Sequence, residues 1–163
     1  MTVEIPASFV QQRRKSINSV LDQLEISGLL TLNGTGVDLG CYVGTSCGAL
    51  ESRGLSVTYV EDDERFIQQV RDMGYSVVHS EAIDFISAIG AIDFVTFFGA
   101  PADFNVESLL REASNKLNRG GGILVTGYPN IEPSINRAIR LAGQKIQFRN
   151  VHGWDSVGFV YST

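Results

Sequence analysis

Two rhythms of apolar residues alternate along the chain. Over residues 7–25, Phe9, Val10, Ile17, Val20, Leu21 and Leu24 recur near helical spacing with polar and charged residues between them, which predicts an amphipathic helix. "NGTG" at 33–36 is a turn, and "VDLG" (37–40) reads as a short buried strand ending at Gly40. "TSCGALESRG" (45–54) predicts a helix closed by Gly54. The unit then repeats. "LSVTYVE" (55–61) is a strand, "DERFIQQVRDMG" (63–74) a helix and "YSVVHS" a third strand. "AIDFISAIG" is a short helix before "IDFVTFFG" (92–99), whose near-continuous apolar run predicts a strand buried on both faces. "NVESLLREASNKLNRGG" predicts a helix capped by Asn105, with Glu107 and Arg111 paired one turn apart. "GILVTG" (122–127) is a fifth strand, and "EPSINRAIRLAG" a helix with Pro133 in its first turn.

The last twenty residues break the alternation. "QKIQFRNV" and "SVGFVYST" are two strands joined only by "HGWD", too short for a parallel crossover, so they must be antiparallel neighbours. The order as a whole predicts one α/β domain over residues 1–163: a doubly wound, mostly parallel seven-stranded sheet with helices on both faces and a C-terminal antiparallel hairpin. In such sheets ligands bind beyond the carboxyl ends of the strands, where the strand order reverses.

Composition narrows the function classes. A 44% hydrophobic and 19% charged chain of 163 residues is ordinary for a soluble domain with its own core. No apolar run approaches a membrane span, and the first fifteen residues lack the order of a signal peptide, so a cytoplasmic protein with no membrane partner is expected. The net charge of −5 gives no general attraction for nucleic acid. The basic residues Arg13, Arg14 and Lys15 read as a solvated helix face, the alternative being a local patch that faces a polyanion. Cys41 and Cys47, with no second Cys or His pair nearby, do not make a zinc site, and no metal is expected.

The candidate chemistry begins at "VDLGCYVGTSCGAL" (37–50). Gly40 allows a sharp turn and close approach of a ligand to backbone, and Gly44 is placed at the start of the following helix. Tyr42 stands where a second loop glycine is expected. Glu61, at the tip of the second strand and 21 residues after Gly40, is placed to accept hydrogen bonds from ribose hydroxyls; the alternative is a solvated acidic loop with Asp62 and Asp63. Glu81, just past the third strand, suits an exocyclic amine of a base or the dipole of its own helix.

Together "VDLGCYVG", "VTYVED", "VVHSEAIDF", "IDFVTFFGAP" and "LNRGGGILVTG" resemble successive sequence blocks of the class I S-adenosylmethionine-dependent methyltransferases, from about residue 35 to the C-terminus. The resemblance implies S-adenosylmethionine as cofactor and methyl transfer to an acceptor the sequence does not identify. It implies Asp38 near the cofactor's methionine amino group, directly or through water, Gly40 and Gly44 beneath the cofactor, and Glu61 with the adjoining Asp62 at the ribose. It further implies Glu81 and Ala82 at the adenine, and Phe98 and Gly99 near the transferred methyl. Tyr42 departs from the family's small residue, and either lies over the cofactor or fills its place. "FFGAPADF" lacks the Asn/Asp-Pro-Pro-aromatic signature of enzymes that methylate amino nitrogens of bases.

Residues able to deprotonate or position an acceptor belong on loops at the carboxyl ends of strands. His152, Tyr128 and Asp103 are the candidates, although a turn histidine bonded to its own loop, a rim aromatic and a helix cap are the plainer readings. Trp154 is a stacking candidate, and His79 reads as structural. The chain has almost no insertions; only helix 7–25 offers itself as a cover. The expected acceptor is therefore a group exposed on a macromolecule, or the site is completed by another subunit. A non-catalytic interaction protein of the same fold is the main alternative; the terminal hairpin and glycine spacing disfavour a nicotinamide enzyme.

Overall fold

The computed structural model of the chain describes residues 5–26, 33–101 and 103–127, together with the backbone of strands 145–151 and 154–161. Helix α1 (Ala7–Ile26) leads into β1 (Thr35–Leu39), β2 (Ser56–Glu61), α2 (Glu64–Asp72) and β3 (Val77–His79). There follow α3 (Ala82–Ala88), β4 (Ile92–Ala100), α4 (Val106–Ser114), β5 (Leu117–Gly127), β6 (Lys145–Val151) and β7 (Trp154–Tyr161). The strands lie side by side in the order β3-β2-β1-β4-β5-β7-β6. The first five are parallel, and β7 pairs antiparallel with both β5 and β6.

The alternation of side chains along each strand builds two cores. Val37 and Leu39 of β1, Val60 of β2, Val95 and Phe97 of β4, and Ile123 and Val125 of β5 face Ile86 of α3 and Leu109, Leu110 and Ala113 of α4. The residues between them, Phe94, Phe98 and Leu124, point to the opposite face and meet Ile17, Val20, Leu21 and Leu24 of α1. On that same face Tyr59 packs against Ile67 and Val70 of α2. Each fully buried aliphatic side chain contributes about 1.5–3 kcal/mol, which is what holds helices to both faces. The parallel α/β sheet with helices on both sides is the architecture the alternating pattern predicts.

Capping follows the sequence closely. The Asp63 side chain accepts from Arg65 N at 2.9 Å to start α2, and Asn105 accepts from Ser108 N at 3.0 Å to start α4. The Lys116 ammonium donates to the carbonyls of Ser87 and Ile89 at the end of α3.

Two elements differ from the sequence reading. Residues 45–54 form no α-helix but a series of turns ending in a 3₁₀ turn, Glu51–Arg53, capped by Gly54. The reason is backbone handedness: Gly44 (φ +74°) and Gly48 (φ +85°) both adopt left-handed conformations that interrupt a right-handed helix. The helix expected over 105–121 stops at Ser114, and Leu117–Gly121 join β5, with Leu117 opposite Ile92. The helix expected at 132–143 lies outside the described residues.

Candidate active site

The order of strands reverses between β1 and β4, and the structure opens a cavity of about 420 Å³ at that point, beyond the strands' carboxyl ends. The volume lies within the 300–1,000 Å³ typical of small-molecule sites. Its floor is Gly40 and Tyr42 of the loop after β1. One side carries Glu61, Asp62 and Asp63 after β2, with Ser80, Glu81 and Ala82 after β3; Phe97, Phe98 and Gly99 of β4 with Pro101 and Phe104 make the other. Phe66 of α2 and, from above, Phe9 and Arg13 of α1 complete the walls.

The loop over residues 40–48 is shaped by four left-handed residues, Gly40 (φ +62°), Tyr42 (φ +54°), Gly44 and Gly48. Tyr42 is the only non-glycine among the described residues with such a φ. The position does take a glycine-like conformation, and the tyrosine holds it at a cost of about 1–2 kcal/mol. Three contacts hold it there. Its ring packs against Phe66, centroids 4.2 Å apart, and edge-on to Phe9 at 6.5 Å. Its N–H donates to Glu61 Oε2 at 2.7 Å. Tyr42 thus lines the cavity without filling it.

Glu61 is almost wholly buried and accepts two more backbone bonds, from the N–H groups of Asp62 and Asp63 at 3.1 Å each on Oε1. Burial, followed by its hydrogen bond with the Asp62 carboxyl, pushes its pKa up to about 7. The carboxylate both organises the loops after β1 and β2 and faces the cavity, where Oε2 has acceptor capacity beyond the Tyr42 bond.

Asp38 lies one layer behind the cavity lining. On β1 it alternates with Val37 and Leu39, so its side chain lies against the sheet face rather than beyond the strand end, and it does not line the cavity. Its Oδ2 accepts from Ser46 Oγ at 2.5 Å and its Oδ1 from Thr96 Oγ1 at 2.6 Å, tying the 40–48 loop to β4. Burial raises its pKa to about 7, against the lowering effect of those two hydroxyls. Gly44 is likewise outside the cavity, beside Met73 and Cys47, and with no helix beginning there it offers no helix N-terminus. Cys41 and Cys47 are buried free thiols.

Gly40, Tyr42, Glu61, Asp62, Glu81, Ala82, Phe98 and Gly99 are brought together around the cavity. Glu81 occupies the N-cap position of α3 but its side chain makes no capping bond, which leaves the cavity-lining carboxylate to other work. Asp103 is exposed, does not line the cavity, and is not the cap of α4, a role Asn105 fills. Tyr128 and His152 lie outside the described residues, as does the side chain of Trp154. His79 bonds Asp62 O through Nε2 at 3.0 Å and bears on loop structure. No cluster of three metal-ligating side chains occurs, and no helix is long and apolar enough to cross a membrane, among the described residues.

Phe9, Arg13, Phe66 and Phe104 are wall residues that sequence reasoning passed over. For the first two a signal exists: Phe9 and Arg13 fall at four-residue steps before Ile17 and Leu21, so the arginine sits in register with the apolar stripe.

Neither protein-family profiles nor curated proteins match the sequence. Solved structures do match by shape. Magnesium protoporphyrin IX methyltransferase from Synechocystis PCC 6803, solved with bound SAM, is 15% identical with a TM-score of 0.71, over 99% of this chain and 87% of its own. DesVI of Streptomyces venezuelae is 9% identical with a TM-score of 0.74, over 99% of this chain and all of the other. The T. thermophilus 16S rRNA methyltransferase RsmC, solved with AdoMet and guanosine, is 19% identical with a TM-score of 0.67, over 91% of this chain and 38% of its own. With its parallel sheet, its switch-point cavity and these likenesses, the chain has the fold of the class I S-adenosylmethionine-dependent methyltransferases.

Proposed function

We propose that this protein is an S-adenosylmethionine-dependent methyltransferase acting on an acceptor that is yet to be identified. The observation that carries the reading is the switch-point cavity with a buried carboxylate, Glu61, at the tip of β2. The residues fit the cofactor. A nucleoside needs flat apolar walls and hydroxyl acceptors, which Tyr42, Phe66, Ala82 and Glu61 supply. A cationic ligand is favoured by the carboxyl groups of Glu61, Asp62 and Glu81, Asp63 being paired with Arg65.

In this reading Glu61 accepts from the ribose hydroxyls, with Asp62 beside it, and Glu81 with Ala82 flanks the adenine. Gly40 and Tyr42 form the floor, and Phe98 and Gly99 face the reacting end. Asp38 and Gly44 act one layer behind, by fixing the loop that carries Tyr42. The terminal strand pair, β7 beside β5, corresponds to the sixth and seventh strands of a methyltransferase sheet. The cofactor, when bound, would supply a methyl group on a sulfonium, the electrophile of the transfer. The protein's part is to exclude water with Phe9, Phe66, Phe97 and Phe104 and to align the acceptor in line. The short loops support an acceptor carried on a larger molecule, or a second subunit that completes the site.

One observation favours the other reading, a protein of this fold that binds without transferring. Asp38 is turned away from the cavity, and Asp103, the one described base candidate, lies off it. Calorimetry and thermal shift with S-adenosylmethionine and S-adenosylhomocysteine decide the first step. Micromolar binding is expected, raising stability by about 3 kcal/mol at roughly 100-fold excess over Kd. Binding of neither ligand refutes the proposal, and a response to NADH alone replaces it with a nicotinamide enzyme. Turnover of labelled cofactor with macromolecular acceptors then separates transfer from binding.

A further inference from the structure

The pairing of β2 with β3 stops where the acidic wall of the cavity begins. Tyr59, Val60 and Glu61 stand opposite Val77, Val78 and His79, and Ser80 N–H closes the ladder on the Glu61 carbonyl at 3.1 Å. The next carbonyl, that of Asp62, lies beyond the ladder's last backbone bond. A side chain takes over there: His79 Nε2 lies 3.0 Å from Asp62 O. A carbonyl can only accept, so the proton of this bond sits on Nε2. Nδ1 stands 3.6 Å from Glu64 Oε2, an exposed contact that contributes little.

The histidine bond acts on the turn that orients the buried carboxylate. Asp62 O and Asp63 N belong to one planar peptide unit, whose C=O and N–H point in opposite directions. His79 holds the carbonyl of that unit, and its N–H donates to Glu61 Oε1 at 3.1 Å. Imidazole and carboxylate therefore grip the same rigid plane from its two sides. Downstream the turn is fixed by the Asp63 side chain, which accepts from Arg65 N at 2.9 Å as the cap of α2. Upstream it is fixed by the strand ladder, and His79 fixes the peptide between. Glu61 and Asp62 line the cavity, whereas His79 does not, and half of its ring is exposed. The histidine thus touches the site only through the turn it holds.

We propose that His79 is a positioning residue for the recognition of a nucleoside's sugar hydroxyls, acting through the Asp62–Asp63 peptide on Glu61. The inference rests on the methyl-transfer reading for the identity of that nucleoside. One hydrogen bond of this kind changes an equilibrium by about 3- to 10-fold. The change should fall on ligands that carry sugar hydroxyls and spare those that lack them. Glutamine can replace the histidine, since its amide N–H is a donor at similar reach; alanine cannot.

The test uses the full chain and its His79→Ala and His79→Gln variants, with thermal unfolding as the check on folding. Calorimetry gives the affinity for S-adenosylhomocysteine. NMR titration compares adenosine with 2′,3′-dideoxyadenosine, which lacks both sugar hydroxyls, and hydrogen exchange is followed at the Asp63 amide. In His79→Ala, S-adenosylhomocysteine and adenosine should bind about 3- to 10-fold more weakly, while dideoxyadenosine binds as it does to the wild type. The Asp63 amide should exchange faster in that variant, and His79→Gln should restore both properties. Wild-type affinities in His79→Ala, equal weakening of adenosine and dideoxyadenosine, or no recovery in His79→Gln overturns the inference. If the wild type binds neither S-adenosylhomocysteine nor S-adenosylmethionine, the methyl-transfer reading fails. The adenosine pair still decides the role of His79, and a variant that treats the two nucleosides as the wild type does overturns it.

Discussion

Tyr42 gives the sharpest test of how the loop after β1 is held, because its backbone and its ring pull stability in opposite directions. At φ +54° any residue with a Cβ carries a strain of about 1–2 kcal/mol that glycine does not. The ring repays it through Phe66 at 4.2 Å and Phe9 at 6.5 Å, aromatic pairs each contributing about 0.5–1.5 kcal/mol beyond their buried area. Tyr42→Ala loses the ring and keeps the strain; Tyr42→Gly loses the ring and sheds the strain. Both should be less stable than wild type, the alanine variant by about 2–3 kcal/mol given a half-buried ring. The glycine variant should lie about 1 kcal/mol above the alanine variant. In ordinary backbone the order is the reverse, by roughly 0.5–1 kcal/mol. Urea unfolding gives the free energies, and melting temperatures should separate by about 2–4 °C for a domain of this size. S-adenosylhomocysteine should bind both variants more weakly, since they lack a wall. An alanine variant as stable as the glycine variant would refute the strain assignment, and tighter ligand binding by either would show that the ring obstructs the cavity.

The remaining predictions concern the two buried carboxyls. Glu61→Gln keeps the shape but sets an amide against some of the three N–H donors of Tyr42, Asp62 and Asp63, so it should cost about 1–3 kcal/mol and weaken S-adenosylhomocysteine binding. Urea titrations and calorimetry report both, and wild-type values for each would remove Glu61 from the site and from the loop. Asp38 has a folded pKa of about 7 against 3.8 for an ordinary aspartate, so the folded chain binds the extra proton; this contribution is full below about pH 4 and is lost as the pH rises through 7. Asp38→Asn should therefore gain in stability relative to wild type between pH 5 and pH 8, and a difference that stays constant across that range would sink the assignment.

How far the sequence reaches is set by what hydrophobic patterning can encode. Period-two and period-3.6 runs located the parallel strands and the helices on both faces, because burial of those runs is what drives their formation. Patterning does not carry the sign of φ, and there the reading of 45–54 as a helix failed: Cys47, Ala49 and Leu50 are all buried, but around left-handed glycines rather than along a helix. The same loop concealed how Asp38 is held. Strand alternation, followed strictly, already turns Asp38 away from the Val37 and Leu39 face and onto the sheet surface below the loop, where Thr96 of the neighbouring strand meets it. Ser46 reaches it only because the turns fold residues 40–48 back over the strand, a contact no spacing rule contains. Glu61 was legible since its position at a strand tip is a matter of counting; its second task, holding three backbone N–H groups, was not. These two acids divide one job between them. Asp38 fastens the loop from beneath, through Ser46, and Glu61 fastens it from the side, through Tyr42 N–H. A tyrosine in a strained conformation is tolerated at the cavity floor because both ends of its loop are tied to neighbouring strands.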